Sequence, residues 1–441
     1  MSMTRPRLAG QAPANAAAVV LLAVAATAYA AYVYAFSVNV PYQDEWAMVI
    51  LYRLTVHGQL TLSALWTQHN ENRMLFPNLL MLVLDHLDHL NTRVEIFASC
   101  ALLLVTVALL GLLYRRTTGA NLLWFVPGAF VIFSWLQYAV ALQGFAIALY
   151  MILFCLVLSL VSLTLAERHP WFLVVAIGAA TVASYSSTQG LAVWAAGLIY
   201  ILARRRHLFH LVPWLASTCV VSAIYWIGFI WVDTGGGVRW AIAHPAFSLH
   251  YYYLLVGGTV PVSRLLHLGT TQQEVVGFAV LALGLIAFGW WMWRPASGEW
   301  LALPLALIGF GVLIDFLITI GRAHLGLVLA TSSRYTLFNL WLLAGVWLAW
   351  AAIASRSHLL PARAVAVVMA LFLLFQIVAS YHSGLIEGRI TRVQRQEAVA
   401  LVRHYQTAPE SQVVPLVYQI YPGFKPLAAF LAAHHLSVFY H

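Results

Sequence analysis

Runs of about 18–22 apolar residues, the length that crosses a hydrocarbon core as an α-helix, recur along this chain almost from end to end. No other feature restricts the fold as strongly. With 62% hydrophobic and only 8% charged residues over 441 positions, the composition excludes a soluble domain. The fold class that follows is all-α: a polytopic transmembrane helical bundle. The first run covers 16–36, and we read it as a retained helix rather than a cleaved leader, because it is longer than a usual signal core. Further spans are expected near 94–114, 121–139, 143–165, 171–187, 189–203, 209–231, 275–293, 301–320, 335–354 and 363–381, about eleven in all. Cys100, Cys155 and Cys219 fall inside such runs and read as small buried hydrophobes, not as a disulfide framework.

The net charge of +9 is almost all arginine, Lys425 being the one lysine. These arginines are scattered among the spans, so they read as topology signals and phosphate ligands rather than a nucleic-acid surface. One set of short loops holds Arg5, Arg7, Arg115, Arg116, Arg168, Arg204, Arg205, Arg206, Arg294, Arg356 and Arg363 against only Glu167 and Glu299, while charges on the other side cancel. The positive-inside rule then places the N-terminus in the cytoplasm of a cytoplasmic (inner) membrane protein. Two long loops, 38–93 and 232–274, and a short tail, 382–441, lie outside; the bundle is residues 1–381. The triplet at 204–206 reads as a topology determinant among anionic lipids.

The first outer loop gathers charge that a membrane chain otherwise avoids. It contains Asp44, Glu45 and Arg53, then QHNENRMLFP (68–77) with His69, Glu71 and Arg73. Leu62, Leu65 and Trp66, and then Leu79, Leu80, Val83, Leu84 and Leu87, have the spacing of interfacial helices. A carboxylate here can act as general base toward an attacking hydroxyl, and the bland alternative is a helix cap. Neighbouring helical residues point about 100° apart, so at most one of Asp44 and Glu45 faces the reacting atoms.

A second constellation, Arg322, His324, Ser332, Ser333, Arg334 and Tyr335, lies on the same side. Arg322 and Arg334 have the chemistry to hold a lipid phosphate, or they are snorkelling anchors at span ends. Asp85, His86, Asp88 and His89 have spacings compatible with a divalent metal, although a solvated face has the same composition; no metal is assigned. Polar groups at two turns, Gln137, Tyr138, Gln143 and Gly144, then Ser184, Tyr185, Ser186, Ser187 and Gln189, suit sugar hydroxyls or each other. Asp233-Thr234-Gly235-Gly236-Gly237 lacks the Lys-Ser/Thr of a phosphate loop. Trp240 and Tyr251 to Tyr253 suit an aromatic belt.

This layout resembles the GT-C class of integral membrane glycosyltransferases, which use polyprenyl-phosphate sugars. The similarity lies in the acidic pair after the first helix, the large first outer loop with interfacial helices, and the short runs QHNENRMLFP, Gln143-Gly144-Phe145 and SSRY (332–335). The resemblance implies an acidic base at Asp44, with Glu45 the second candidate. It also implies a donor-phosphate site, here matched by chemistry to Arg334, Arg322 and Tyr335. His69, Glu71, Arg73 and Gln143 are the expected substrate contacts.

The expected reaction moves a hexosyl or pentosyl unit from a polyprenyl-phosphate donor to a hydroxyl on a glycolipid, polysaccharide or protein. A single displacement inverts the anomeric carbon. The expected partners are that donor and membrane lipids, with no nucleic acid and no cofactor. The alternatives are a lipid-linked saccharide polymerase or ligase, and a transporter or flippase, for which Asp315 is the main intramembrane suspect.

Overall fold

Apolar runs in hydrocarbon must pair their backbone groups internally, which the helix does for every residue. The computed structural model describes residues 12–205, 208–231, 235–262, 268–357, 359–417 and 423–440; Arg5, Arg7, Arg206, Asp233 and Thr234 lie outside them. In chain order the helices are α1 (Ala12–Phe36), α2 (Trp46–Val56), α3 (Leu62–Trp66), α4 (Leu75–Leu87), α5 (Thr92–Thr118), α6 (Val126–Ile132), α7 (Tyr138–Ala141) and α8 (Ile147–Ala166). There follow α9 (Phe172–Ser184), α10 (Ala192–Arg204), α11 (Leu211–Trp226), α12 (Val238–Ala243), α13 (Pro245–Val256), α14 (Thr270–Trp293), α15 (Gly298–Arg322), α16 (Ser333–Arg356), α17 (Leu360–Arg403), α18 (Glu410–Val417) and α19 (Phe424–Ala433). Between α3 and α4 a two-stranded antiparallel hairpin pairs Gln68 with Arg73 and His69 with Asn72.

Among the described residues, eight helical segments have the length and apolar character to cross a membrane. The chain is a multi-pass membrane protein. Its central helix is α16, where every residue from Tyr335 to Ala354 is buried. The outermost helices turn apolar side chains outward: Val367, Val368, Leu371 and Leu374 of α17 are exposed, as a lipid-facing surface requires.

The structure departs from the sequence expectations at four places. The expected spans 171–187, 189–203 and 209–231 are α9, α10 and α11, helices of 13, 13 and 16 residues. At 1.5 Å per residue they reach only about 20–24 Å. The polar turn joining α9 to α10 packs Gly190 against the Ala183 carbonyl.

Part of the second long loop is not a loop. Helix α13 packs into the bundle, with Tyr251, Leu254 and Leu255 buried, and the Tyr252 hydroxyl donates to the Val312 carbonyl at 3.1 Å. Tyr251 is therefore a core residue and not part of an interfacial belt. Cys219 is exposed on α11 beside outward Val220, whereas Cys100 and Cys155 are buried.

The bundle–tail boundary at 381 falls inside α17, a single helix of 44 residues. At about 66 Å it far exceeds the hydrocarbon thickness, so one half must project beyond it. Gly384 and Gly388, one helical turn apart, let α17 close on Trp135 and on Tyr32 and Phe36, and the Tyr32 hydroxyl donates to the Gly384 carbonyl at 3.0 Å.

The projecting half does not stand alone. Ala398, Val402, Leu427, Ala428 and Leu431 share a second hydrophobic core with Trp46, Val49, Met74 and Met81 of the first loop. Trp46 meets Phe424 edge-on at 5.4 Å, and His89 stacks on Tyr440 at 4.1 Å. The tail and the first loop bury their apolar faces against each other.

Candidate active site

The turn that presents Asp44 is strained and braced. Gln43 has φ 52, in the left-handed region, which costs a non-glycine residue about 1 kcal/mol. Glu45 fixes the turn from beneath: its carboxylate accepts from the Tyr42 amide at 2.7 Å and from the Gly144 amide at 2.6 Å. Burial pushes the Glu45 carboxyl up, opposed by the Arg395 charge and by the amides of Tyr42, Gly144 and Phe145. Arg395 comes from the far half of α17, its guanidinium 3.5 Å from the Tyr42 ring centroid. Glu45 is thus 3% exposed and engaged by backbone on both sides, in the position of a strut, while Asp44 beside it is half-buried against His69.

Asp44 Oδ1 lies 3.6 Å from His69 Nε2. The His69 ring sits 5.0 Å from that of Phe145, so the Gln143-Gly144-Phe145 turn supports both members of the first-loop site. Burial works to raise the Asp44 carboxyl, but nearby His69 and the charge of Arg334 outweigh it. The group is held below its usual value, ionised at neutral pH.

Arg334 opens α16, whose first residue, Ser333, accepts from the Ala139 amide at 3.2 Å and donates to the Leu136 carbonyl at 2.5 Å. The charge of Arg334 acts on Asp44, so the first loop and the SSRY run meet at one place.

The hairpin carrying His69 and Glu71 is fastened at many points. Asn72 Oδ1 accepts from Ser187 Oγ at 2.7 Å and from the Thr188 amide at 3.1 Å. The Tyr225 hydroxyl donates to the Glu71 carbonyl at 2.9 Å, and Thr188 Oγ1 donates to the same atom. Arg73, 3% exposed, spends its guanidinium on the carbonyls of Tyr225, Trp66 and Ile227 at 2.8, 3.1 and 2.6 Å. Arg73 is placed as a bolt for the hairpin, not facing the open side. Gln143 is likewise buried.

The Glu71 carboxylate, held out by this frame, pairs with Arg322, and Arg322 also reaches the Tyr335 hydroxyl. Arg322, Arg334 and Tyr335 thus gather opposite Asp44, His69 and Glu71. The candidate metal residues separate. Asp85 is buried, His86 bonds the Leu82 carbonyl at 2.7 Å, and His89 turns away onto Tyr440. Among the described residues no group of three or more His, Cys, Asp or Glu is arranged to hold a metal.

Sequence reasoning passed over Glu95, Asn72, Thr188, Tyr225 and the partnership of Arg395 with the first loop. Glu95 carried a signal, an acid within an apolar run. It is buried against Asp85. The others carried none, because the contacts that bring them to the hairpin or the first loop each span more than 100 positions.

Fold and site together define a multi-pass helical membrane protein with an ionised carboxylate set against guanidinium groups at one end of the bundle. No family model matches the chain, and no curated protein matches it. Among solved structures it is similar to ArnT from Cupriavidus metallidurans bound to undecaprenyl phosphate, with 15% identity, 94% of this chain and 87% of that chain covered, and a TM-score of 0.47. It is also similar to the apo state of the same protein, with 14% identity, 76% and 79% covered, and a TM-score of 0.36. Likeness of this degree leaves the meaning of the site to its own geometry.

Proposed function

We propose that this protein is a GT-C-type glycosyltransferase that moves a sugar from a polyprenyl-phosphate donor to a hydroxyl acceptor at the outer face of the cytoplasmic membrane. The observation that carries the reading is the meeting of Asp44 with His69 and the Arg334 charge in one cluster.

In this reading Asp44 takes the proton of the acceptor hydroxyl as that oxygen attacks the anomeric carbon. The bond from that carbon to the donor phosphate breaks, and the bonding electrons leave with the phosphate. Charge grows on the departing phosphate, and Arg334, Arg322 and the Tyr335 hydroxyl are the groups that receive it. One displacement inverts the anomeric carbon.

His69 holds the Asp44 carboxylate ionised, while Glu45 and Arg73 support the frame. The N-terminus lies in the cytoplasm, the first loop and the far half of α17 outside. Membrane lipids surround the bundle, and the reaction calls for no cofactor. Asp315, whose carboxylate oxygens are buried without a partner, is the one observation that favours a flippase instead.

The test is release of labelled sugar from synthetic polyprenyl-phosphate sugars by purified protein. Asp44→Asn is expected to lower the rate about 100-fold or more. Equal turnover in wild type and Asp44→Asn removes Asp44 from the chemistry, and lipid-linked sugar crossing a vesicle membrane without cleavage replaces transfer with transport.

A further inference from the structure

Glu71 is a carboxylate of the site that the reaction above does not use, and it is seated on one of the guanidiniums assigned to the donor phosphate. Its backbone cannot drift. The hairpin is pinned by Asn72 to Ser187 and Thr188, by the Glu71 carbonyl to Thr188 and Tyr225, and by Arg73 to the end of α11. Asn70, at φ 51, closes the turn beside it. The Glu71 side chain is nonetheless 42% exposed and Arg322 26% exposed, so the pair lies at the open side of the site. A carboxylate on a fixed backbone can leave its partner by rotating its own side-chain bonds, without moving the hairpin.

Carboxylate and phosphate bind arginine through the same planar fork. A guanidinium engaged by Glu71 offers that fork to a phosphate only in exchange for the carboxylate. We propose that Glu71 is a specificity-determining residue of the donor site: its carboxylate competes with the lipid phosphate for Arg322 and so sets which anions reach it. This inference rests on the reading of Arg322 as a donor-phosphate ligand.

Two consequences follow from exchange at one fork. The polyprenyl phosphate product, a monoester with a third free oxygen and more charge than a carboxylate, displaces Glu71 most readily, and the singly charged diester donor exchanges with it less readily. After transfer, the return of Glu71 to Arg322 speeds departure of the polyprenyl phosphate product. Glu71 therefore weakens donor binding and aids release, and its neutralisation lowers KM and kcat together.

The experiment measures polyprenyl phosphate binding to full-length protein in phosphatidylcholine nanodiscs, with polyprenol as the control lacking phosphate. Wild type is compared with Glu71→Gln, Glu71→Ala, Arg322→Gln and the double variant Glu71→Gln/Arg322→Gln, each first shown to be monodisperse. Both Glu71 variants are expected to bind about two- to five-fold tighter, the range of a partly exposed ion pair. Arg322→Gln is expected to bind more weakly, and the double variant to show no gain over Arg322→Gln alone.

Unchanged or weaker binding in both Glu71 variants, with Arg322→Gln still weakened, overturns the competition and leaves the phosphate site standing. Wild-type binding in Arg322→Gln overturns the phosphate site itself. A gain from Glu71→Gln that persists in the double variant also defeats the proposal, because the carboxylate then acts through some group other than Arg322.

Discussion

Asp44 Oδ1 and His69 Nε2 stand 3.6 Å apart, one on the turn after the first helix and the other on the hairpin. The contact decides the protonation of the carboxylate. Burial pulls the Asp44 carboxyl up, His69 and then Arg334 pull it down, and the downward pull prevails. A base works deprotonated, so the acidic limb of kcat/KM lies below the usual carboxylate value. In His69→Gln, Arg334 alone opposes burial, and the limb moves to higher pH. A pH–rate profile of both proteins checks this; superimposable acidic limbs would mean that His69 does not act on Asp44.

Gly144 sits where a Cβ would fall on Glu95 Oε2, and its amide serves Glu45. Gly144→Ala forces the turn away from both acids and is expected to cost about 1–3 kcal/mol as overpacking. Gly178 on α9 has open space at the same point, so Gly178→Ala is the control. It should be neutral or slightly stabilising, by up to about 1 kcal/mol. Thermal unfolding in detergent separates the two, and equal midpoints would show that the turn has room to yield.

Arg395 joins the tail to the site. Its guanidinium covers Tyr42, and its charge acts on the buried Glu45. Arg395→Gln leaves that carboxylate to its backbone donors, at a cost of about 3 kcal/mol. Adding Glu45→Gln removes the charge left behind, so the double variant is expected to lose less than the two single losses combined. Strict additivity in unfolding midpoints would show that the two charges are uncoupled.

Asp85, on α4 outside the spans, is pushed up to about 7, first by burial and then by the Glu45 charge, against a hydrogen bond with Glu95. The folded state holds this proton more tightly than the unfolded state, so its contribution to stability is full in acid. It is lost as pH rises through about 7. Asp85→Asn carries no titrating proton and should flatten the decline in unfolding midpoint between pH 5 and 8. A slope as steep as wild type would place the titration elsewhere.

Much of the fold was legible because lipid imposes a local rule. An apolar run must become a helix wherever its neighbours lie, so spans such as α5, α8 and α16 could be read directly from the sequence. The interfacial reading of 76–90 also has a local cause: Leu79, Val83 and Leu87 face outward from α4 while Asp85 turns in. The helices α9 to α11 were expected longer than they are, because hydropathy does not register how much of an apolar run becomes helix.

The sequence by itself determined the helical membrane class, the crowding of charge into the first loop, and the residue types from which a site could be made. Only the tertiary structure decided their roles. It turned Glu45 and Arg73 into supports, left Asp44 and Glu71 facing guanidiniums, and brought Arg395 from the tail to the first loop. The reason is range: helix formation and burial depend on neighbours a few positions away. The partner of a charge depends on how distant helices pack, and Arg322 meets Glu71 across 251 positions of chain.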